Sequence, residues 1–272
     1  MPFTSKSNII NKLYKSPVWS NKMIDIIVKI LSSVNVTKSE ILDVITTQSS
    51  NDKKILDKLT KLVKTVKNPY NESDNFKRAF RKWKFISPNV DIKINAILDY
   101  GGGVGDTAYA IGNKVLHLPS DKIFVIDVDE FGGVKYKPRP DISFIHFDNI
   151  ENMHHKVDLI MINHVMHHIN ESDYDKILDL FNRILSKNGI ISLYEHDCSD
   201  KNMSDIIDLE HMLYDVCVAK KLTYTSFIKT FYAKYTPVKK WESLFSKYFS
   251  VKKIIRLNNM DNSFYIIFKR AI

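Results

Sequence analysis

The chain has 272 residues, of which 44% are hydrophobic and 26% charged, and its formal net charge is +9. These fractions are typical of a globular protein and argue against a disordered or fibrous chain. No apolar run approaches the roughly 18 residues of a membrane span, and the first residues do not have the pattern of a secretory signal. A cytoplasmic protein is therefore expected. Two cysteines outside any CxxC pair predict neither a disulfide framework nor a zinc motif.

The first part of the chain has the apolar spacing of helices. Apolar residues at helical spacing between positions 21 and 66 predict three short helices. Thr37 followed by Glu40 predicts a capping box at the start of the middle helix. We therefore expect residues 1–88 to form an N-terminal helical extension or lid, and residues 89–272 to form a second domain.

A basic segment that also carries aromatic residues lies between positions 75 and 85. The residues of interest in it are Lys77, Arg78, Arg81, Lys82 and Trp83. Cations mixed with aromatic rings suit phosphate contact and base stacking, so the segment predicts contact with RNA. The same pattern also fits an amphipathic helix whose rings face inward and whose cations face water.

Beyond position 88, short apolar runs alternate with helical stretches. Five runs predict buried strands, at positions 94–98, 123–126, 142–147, 159–162 and 190–193. Two further runs predict an antiparallel pair, at 253–257 and 263–268. Strands separated by crossover helices form a parallel sheet covered on both faces. The predicted class is α/β: a doubly wound, mostly parallel seven-stranded sheet with an antiparallel C-terminal strand pair, plus the N-terminal helical extension.

A glycine-rich turn, in the run ILDYGGGVG, follows the first predicted strand and contains Gly101, Gly103 and Gly105. A turn that joins a strand to a helix is a ligand position in open α/β sheets. A nicotinamide-binding fingerprint requires a third glycine where this chain has Asp106. A carboxylate two residues before the first glycine, Asp99, disfavours a bound phosphate and favours a ligand with a cationic amine.

Two further acids stand at the ends of the next predicted strands. Asp127 ends the second strand, where a carboxylate accepts hydrogen bonds from ribose hydroxyls. Asp148 ends the third strand, where it is placed to accept from an adenine amino group. A single acid at a strand end is an ordinary turn residue. Asp99, Asp127 and Asp148 in register together predict a site for an adenosine-type ligand that carries a positive charge.

This pattern resembles the class I S-adenosylmethionine-dependent methyltransferases, whose first motif is apolar, Asp or Glu, x, Gly, x, Gly, x, Gly. The resemblance covers about residues 94–193 and the last two strands, and it implies a Rossmann-like methyltransferase domain. It also implies that the glycine loop wraps the methionine part of S-adenosylmethionine, that Asp99 anchors that part, and that Asp127 holds the ribose. Asp148 would contact the adenine.

Ionisable side chains after the fourth and fifth strands are the candidates for catalysis. Such groups next to a buried strand cost free energy unless they face a site or each other, and histidine or glutamate can take a proton from an acceptor. We predict Glu195, His196 and His164 as catalytic residues and Asn163 as a further cofactor contact. No metal is predicted, because the histidines and acids match no compact ligand motif.

The acceptor is the open question. The favoured hypothesis is an RNA methyltransferase that acts on a cap or another terminal structure, because the net charge of +9 suits a polyanion; AT-rich coding, as in some viruses or protists, explains the same excess. The run HVMHH resembles small-molecule methyltransferases better, and the N-terminal helices would then form a lid. A third hypothesis is a non-catalytic cofactor-binding subunit of a methyltransferase complex.

Overall fold

The structure is a computed structural model that describes residues 8–48, 51–64, 72–128, 130–131, 134–135, 137–257 and 262–271. The chain divides into two compact units. One unit takes the described residues before position 70 together with Cys198–Ala233, and the other takes the remainder. The division therefore falls earlier than the expected residue 88, and a later segment belongs to the helical unit. No helix in the described ranges is long and apolar enough to cross a bilayer.

The helices and strands of the described residues follow in chain order. The helices are α1 (Ile9–Tyr14), α2 (Trp19–Ser32), α3 (Lys38–Gln48), α4 (Asp52–Leu62), α5 (Glu72–Ile86), α6 (Asp106–Tyr109), α7 (Tyr174–Ile184), α8 (Lys201–Met212), α9 (Tyr224–Thr230) and α10 (Val238–Phe245). Two π-helical turns, Ala110–Val115 and Leu213–Val218, continue α6 and α8. The strands are β1 (Ile97–Tyr100), β2 (Ile123–Asp127), β3 (Ser143–His146), β4 (Val157–Asn163), β5 (Leu185–His196), β6 (Phe249–Arg256) and β7 (Ser263–Arg270), and a separate short hairpin pairs Glu130–Phe131 with Val134–Lys135.

Several helices of the helical unit begin with side-chain caps, among them α1 and α3. The predicted capping box is confirmed, since Thr37 N donates to Glu40 Oε2 at 2.8 Å and Glu40 N donates to Thr37 Oγ1 at 3.3 Å. At α1, the buried carboxylate of Asp52 accepts from the backbone N–H groups of Ile10 at 2.9 Å and Asn11 at 3.0 Å. The first N–H groups of a helix have no partners within the helix, and the side chains of Thr37, Glu40 and Asp52 accept hydrogen bonds from N–H groups at these two helix starts.

The second unit is built on one seven-stranded sheet with the order β3-β2-β1-β4-β5-β7-β6. The first five strands, β1 to β5, are parallel, and β7 is antiparallel to both β5 and β6. The predicted fold class is therefore confirmed. In the register, Asp99 of β1 lies between Val125 of β2 and Met161 of β4. The carboxyl ends of β1, β2, β4 and β5 consequently meet at one edge of the sheet.

Two apolar clusters cover the two faces of this sheet. Successive side chains of a strand point to opposite faces, so Leu98 joins one cluster while its neighbour Ile97 joins the other. Phe181 of α7 and Trp241 of α10 belong to the first cluster. Ala79 of α5 belongs to the second cluster. Because α5 packs on the sheet in this way, it belongs to the sheet unit and not to the helical extension predicted for residues 1–88.

The start of α10 differs from a sequence-based expectation. Thr236 followed by Pro237 predicts an N-cap and a first helical residue, but Pro237 is extended, with φ −68° and ψ 151°, and the helix begins at Val238. Proline has no side-chain acceptor for the helix N-terminus. The carboxylate of Asp197, directly after β5, accepts from Val238 N at 3.0 Å instead.

Candidate functional site

The glycine loop after β1 has a backbone conformation that favours glycine at three positions. Gly101, Gly103 and Gly105 have φ values of +71°, +58° and +93°, in the left-handed region that side chains disfavour. A Cβ atom on Gly101 would overlap the side chain of Val165, whereas a Cβ atom on Gly103 would have no neighbour within 4 Å among the described atoms. The loop is therefore packed at its start and open to a ligand at its centre.

Asp127 lies at the tip of β2 and holds this loop through the backbone. Its Oδ2 accepts from Gly103 N at 2.5 Å, and its Oδ1 accepts from Val128 N at 2.7 Å. Charge-assisted hydrogen bonds of this kind are stronger than neutral ones. The structure thus brings the predicted ribose contact to the centre of the glycine loop.

Asp99 lies below the loop and is only 1% exposed. Burial raises the pKa of its carboxyl group to about 6, while the charge of Lys82 and a hydrogen bond from Asn163 act in the opposite direction. Asn163 Nδ2 donates to Asp99 Oδ1 at 3.1 Å. The other amide atom of Asn163, its Oδ1, is buried and accepts no hydrogen bond from any described residue. Two acceptor groups therefore stand side by side below the loop, where an amine donor would satisfy both.

Asp106 has a structural role that the sequence did not indicate; the sequence showed only that it occupies the position of the third glycine of a nicotinamide-binding fingerprint. Its carboxylate accepts from Asn75 of α5 and from Arg139 Nη1, the latter at 3.2 Å. Arg139 also donates its backbone N–H to Val104 O at 2.9 Å and stacks on Tyr109 at 4.0 Å. Asp106 and Arg139 thereby hold α5 and the segment before β3 against the glycine loop. The sequence offered no signal for Arg139, because its partners are distant in the chain.

Asp148 lies apart from the other predicted cofactor residues. It follows β3 in a short 3-10 turn, and its side chain is 82% exposed. Its backbone N–H donates to His146 Nδ1 at 3.3 Å. The contact with adenine stays a prediction, since the position after the strand agrees with it and no described neighbour engages the carboxylate except His146, at 3.5 Å.

The predicted histidines meet at the tips of β4 and β5. His164 Nδ1 and His196 Nε2 share a hydrogen bond of 2.8 Å. His164 has a φ of +57°, which is uncommon for a residue with a Cβ atom, and its backbone N–H donates to Tyr194 O at 2.8 Å. The Tyr194 ring packs edge-on against the His164 ring, with 4.0 Å between centroids. The structure thus brings together two of the three predicted catalytic residues.

Glu195 has a different environment from the one predicted for a proton acceptor. It is 1% exposed, and its Oε1 accepts from Val165 N at 3.0 Å and Met166 N at 2.8 Å. Its Oε2 accepts from His167 Nδ1 at 2.6 Å. Burial raises the pKa of this carboxyl group, and the charge of His196 opposes that rise. Because both oxygens are engaged with the turn after β4, the geometry favours a positioning role for Glu195.

The basic segment lies in α5. Phe76 and Trp83 are partly buried and pack against the apolar cluster that contains Ala79, whereas Phe80 is 38% exposed. Arg78 donates to Asn75. Burial lowers the pKa of Lys82, and the charge of Asp99 opposes that change. These positions are those of an amphipathic helix, and RNA contact by the segment, Lys77 and Arg81 included, stays a prediction.

Comparison with known proteins gives similar structures but no sequence family. No family model and no curated protein matches the chain. The PH0226 protein from Pyrococcus horikoshii OT3 is 13% identical, with 72% of this chain and 91% of that chain covered and a TM-score of 0.50. The pyocyanin biosynthetic protein PhzM is 17% identical, with 71% and 54% covered and a TM-score of 0.46. The methyltransferase CalO1 of calicheamicin biosynthesis, solved in its SAH-bound form, is 13% identical, with 94% and 74% covered and a TM-score of 0.48.

These identities bear on the fold alone, and the matched part of this chain spans about half of PhzM. The strand order β3-β2-β1-β4-β5-β7-β6 is that of the class I methyltransferase fold expected from the glycine loop. The PH0226 protein, 91% of which is covered, is similar to this chain in fold. The fold is therefore a class I methyltransferase fold.

Proposed function

We propose that the chain is an S-adenosylmethionine-dependent methyltransferase that methylates a hydroxyl group of a small molecule. The observation that carries the proposal is the buried Asp99 carboxylate beneath a glycine loop whose residues Gly101, Gly103 and Gly105 are all left-handed. A buried carboxylate requires a partner of positive charge or strong donors. The α-ammonium group of the cofactor is such a partner.

The residues around the loop fit the cofactor. The acceptor oxygen of Asn163, beside Asp99, suits the N–H groups of the same ammonium. The space over Gly103 is open to a ligand, and the carboxylate of Asp127, which accepts from the N–H of that glycine, would hold the ribose. When bound, the cofactor supplies a sulfonium methyl group to a nucleophile.

The histidine pair supplies the proton acceptor of the proposal. His164 and His196 share one hydrogen bond, so one ring nitrogen of the pair is an acceptor and the charge of an added proton spreads over two rings. Glu195 binds the turn that carries His164 and orients the neighbouring ring of His167. We propose that this pair takes the proton from the acceptor hydroxyl during methyl transfer.

The packing of α5 favours a small molecule over RNA as the acceptor. Stacking of bases needs exposed aromatic rings beside the cations, but Phe76 and Trp83 pack into the apolar cluster of the sheet. Arg78 is engaged with Asn75 on the same helix. Most rings of the segment that suggested RNA therefore have a structural use in this fold. The exposed ring of Phe80 and the net charge of +9 remain in favour of RNA.

The test is transfer of a labelled methyl group from S-adenosylmethionine, with the full chain incubated separately with metabolite, RNA and protein fractions of a cell extract. We expect label in the metabolite fraction. The variant His196→Gln should transfer at least about 100-fold more slowly, the lower range for loss of a general base, with the cofactor affinity unchanged. The exposed His154, changed to Ala, is the matched control and should transfer as the parent does.

Two outcomes would reject this proposal in different ways. Label that enters only RNA, with binding that weakens steeply as salt rises, would make RNA the acceptor. Tight cofactor binding without transfer to any fraction would leave the third hypothesis, a cofactor-binding subunit without catalysis.

A further inference from the structure

Three histidines converge at the tips of β4 and β5, and the turn after β4 brings them together. The metal-ligating nitrogen atoms of His164, His167 and His196 all lie within 4.8 Å of one another. Centroids of the His164 and His196 rings are 4.2 Å apart, and those of His167 and His196 are 5.4 Å apart. Imidazole is the commonest side-chain metal ligand and suits zinc, copper, iron and nickel.

The third histidine of the cluster is oriented from behind by a carboxylate. His167 is 1% exposed and donates its Nδ1–H to Glu195 Oε2 at 2.6 Å. This hydrogen bond selects the tautomer whose lone pair is on Nε2. A carboxylate that accepts from the far nitrogen of a histidine is the usual outer partner of a metal ligand, since it fixes the ring and raises its basicity.

The other two histidines already share a single proton. His164 Nδ1 and His196 Nε2 are 2.8 Å apart, and the left-handed backbone at His164, with φ +57°, is part of the arrangement that holds the two rings together. A zinc–nitrogen bond of about 2.0–2.1 Å places two tetrahedral ligands about 3.3 Å apart. The rings of His164 and His196 would move slightly apart, and any nitrogen separation as long as 4.8 Å would shorten, to admit a metal ion in place of the shared proton.

We propose that His164, His167 and His196 form a binding site for a divalent transition-metal ion of the zinc class, with Glu195 as the outer partner. Three neutral imidazoles leave the charge of such an ion uncompensated, and the nearby buried carboxylate of Glu195 offsets part of it. The sequence predicted no metal because the ligands come from two strand ends, separated by more than thirty residues, and not from a compact motif. The proposal needs only this cluster, but it shares His164 and His196 with the proposed methyl transfer: a bound ion would replace the proton between their rings, so the pair cannot hold the ion and accept a proton there at the same time.

The experiment measures metal binding by the full chain after removal of any affinity tag and treatment with a chelator. Titration with Co²⁺ should give the visible absorption bands of low-symmetry cobalt, saturating at one equivalent per chain. Added Zn²⁺ should displace the cobalt and abolish these bands. Zinc affinity by calorimetry should fall more than about 100-fold in His164→Ala, because loss of an outer partner alone costs about 10–100-fold. The outer-partner variant Glu195→Gln should lose about 10–100-fold.

His154→Ala is the matched control, because His154 is exposed and lies outside the cluster; it should bind zinc as the parent does. Circular dichroism accompanies each titration, and His196→Gln is a second ligand variant if His164→Ala does not fold. The proposal is overturned if the parent shows no cobalt bands, or if folded His164→Ala and His196→Gln retain the zinc affinity of the parent. Neither result would bear on cofactor binding, which is measured separately.

Discussion

The glycine loop and the histidine cluster lie at neighbouring strand tips of one sheet, yet they are held in different ways. In the loop, the backbone conformation at Gly101 and Gly103 defines the shape, and Asp127 stabilises it through main-chain N–H groups. In the cluster, one buried carboxylate, Glu195, joins the turn after β4 to the ring of His167. The shape of the loop depends on the left-handed backbone of its glycines, whereas the cluster depends on the charge of the Glu195 carboxylate.

This difference tells which kind of substitution each region tolerates. A loop shaped by left-handed glycines is sensitive to any added Cβ atom. A cluster centred on a buried carboxylate is sensitive to loss of that charge even when the volume of the side chain is kept. The three predictions below test this contrast, in order of decreasing effect.

The largest effect is expected for Glu195→Gln. The amide keeps one acceptor oxygen, which can serve the two backbone N–H groups, so its NH2 group would face His167 Nδ1 and that ring would lose its charged partner and have to change tautomer. Loss of one partner in a buried, charge-assisted network should lower the free energy of unfolding by about 3 kcal/mol, measured by urea denaturation.

The matched control is Glu171→Gln. Glu171 pairs with Lys234 and Lys240 at the surface, with about two-fifths of its side chain exposed, so its loss should cost no more than about 1 kcal/mol. Equal losses for the two variants would contradict the charge-dependent description of the cluster.

The second prediction compares the free energies of unfolding of Gly101→Ala and Gly103→Ala. Both glycines are left-handed, a conformation that costs about 1–2 kcal/mol with a Cβ atom, but only Gly101 also has the side chain of Val165 in the way. Gly101→Ala should therefore lose more than about 2 kcal/mol of unfolding free energy, and Gly103→Ala about 1 kcal/mol. Thermal or urea unfolding measures both, and a larger loss for Gly103→Ala would show that the loop is packed differently.

The third effect is a pH dependence of cofactor affinity. The pKa of Asp99 is raised from 3.8 to about 6 by burial. The folded state therefore holds a proton that the unfolded state has released between these values, and the contribution of Asp99 to stability falls as the pH rises from about 4 to about 6. A bound ammonium needs the ionised carboxylate, so affinity for S-adenosylmethionine should be about tenfold weaker at pH 5 than on the plateau above pH 7.

Calorimetry across this pH range gives the check, with Asp99→Asn as the comparison. The asparagine cannot titrate, so its weaker affinity should be flat over the same range. If the affinity of the parent protein is equally independent of pH, Asp99 does not bind the ammonium group of the cofactor.

The sheet and the loop were predictable from sequence because local rules specify them. Buried strands such as β4 are continuous apolar runs, and a glycine loop after a strand has its own spacing. The roles of Arg139, Asp106 and Glu195 were not predictable. Each depends on hydrogen bonds between segments distant in the chain, as between Arg139 and Asp106, and no spacing in the sequence encodes such contacts.

The same holds for the basic segment of α5. Its alternation of cations and rings fits both an RNA-binding surface and an amphipathic helix, and only packing separates the two. Trp83 and Phe76 lie against the sheet cluster, which the composition of the segment could not reveal.

The central claim, that the loop from Asp99 to Gly105 binds S-adenosylmethionine, is tested most directly by equilibrium binding of that cofactor and of NAD to the parent chain and to Asp99→Asn. We predict that the parent binds S-adenosylmethionine and not NAD, and that Asp99→Asn loses at least about tenfold in affinity, or about 1.4 kcal/mol, while it unfolds at the same urea concentration or a higher one. Binding of NAD in preference, or an unchanged affinity in Asp99→Asn, would contradict it.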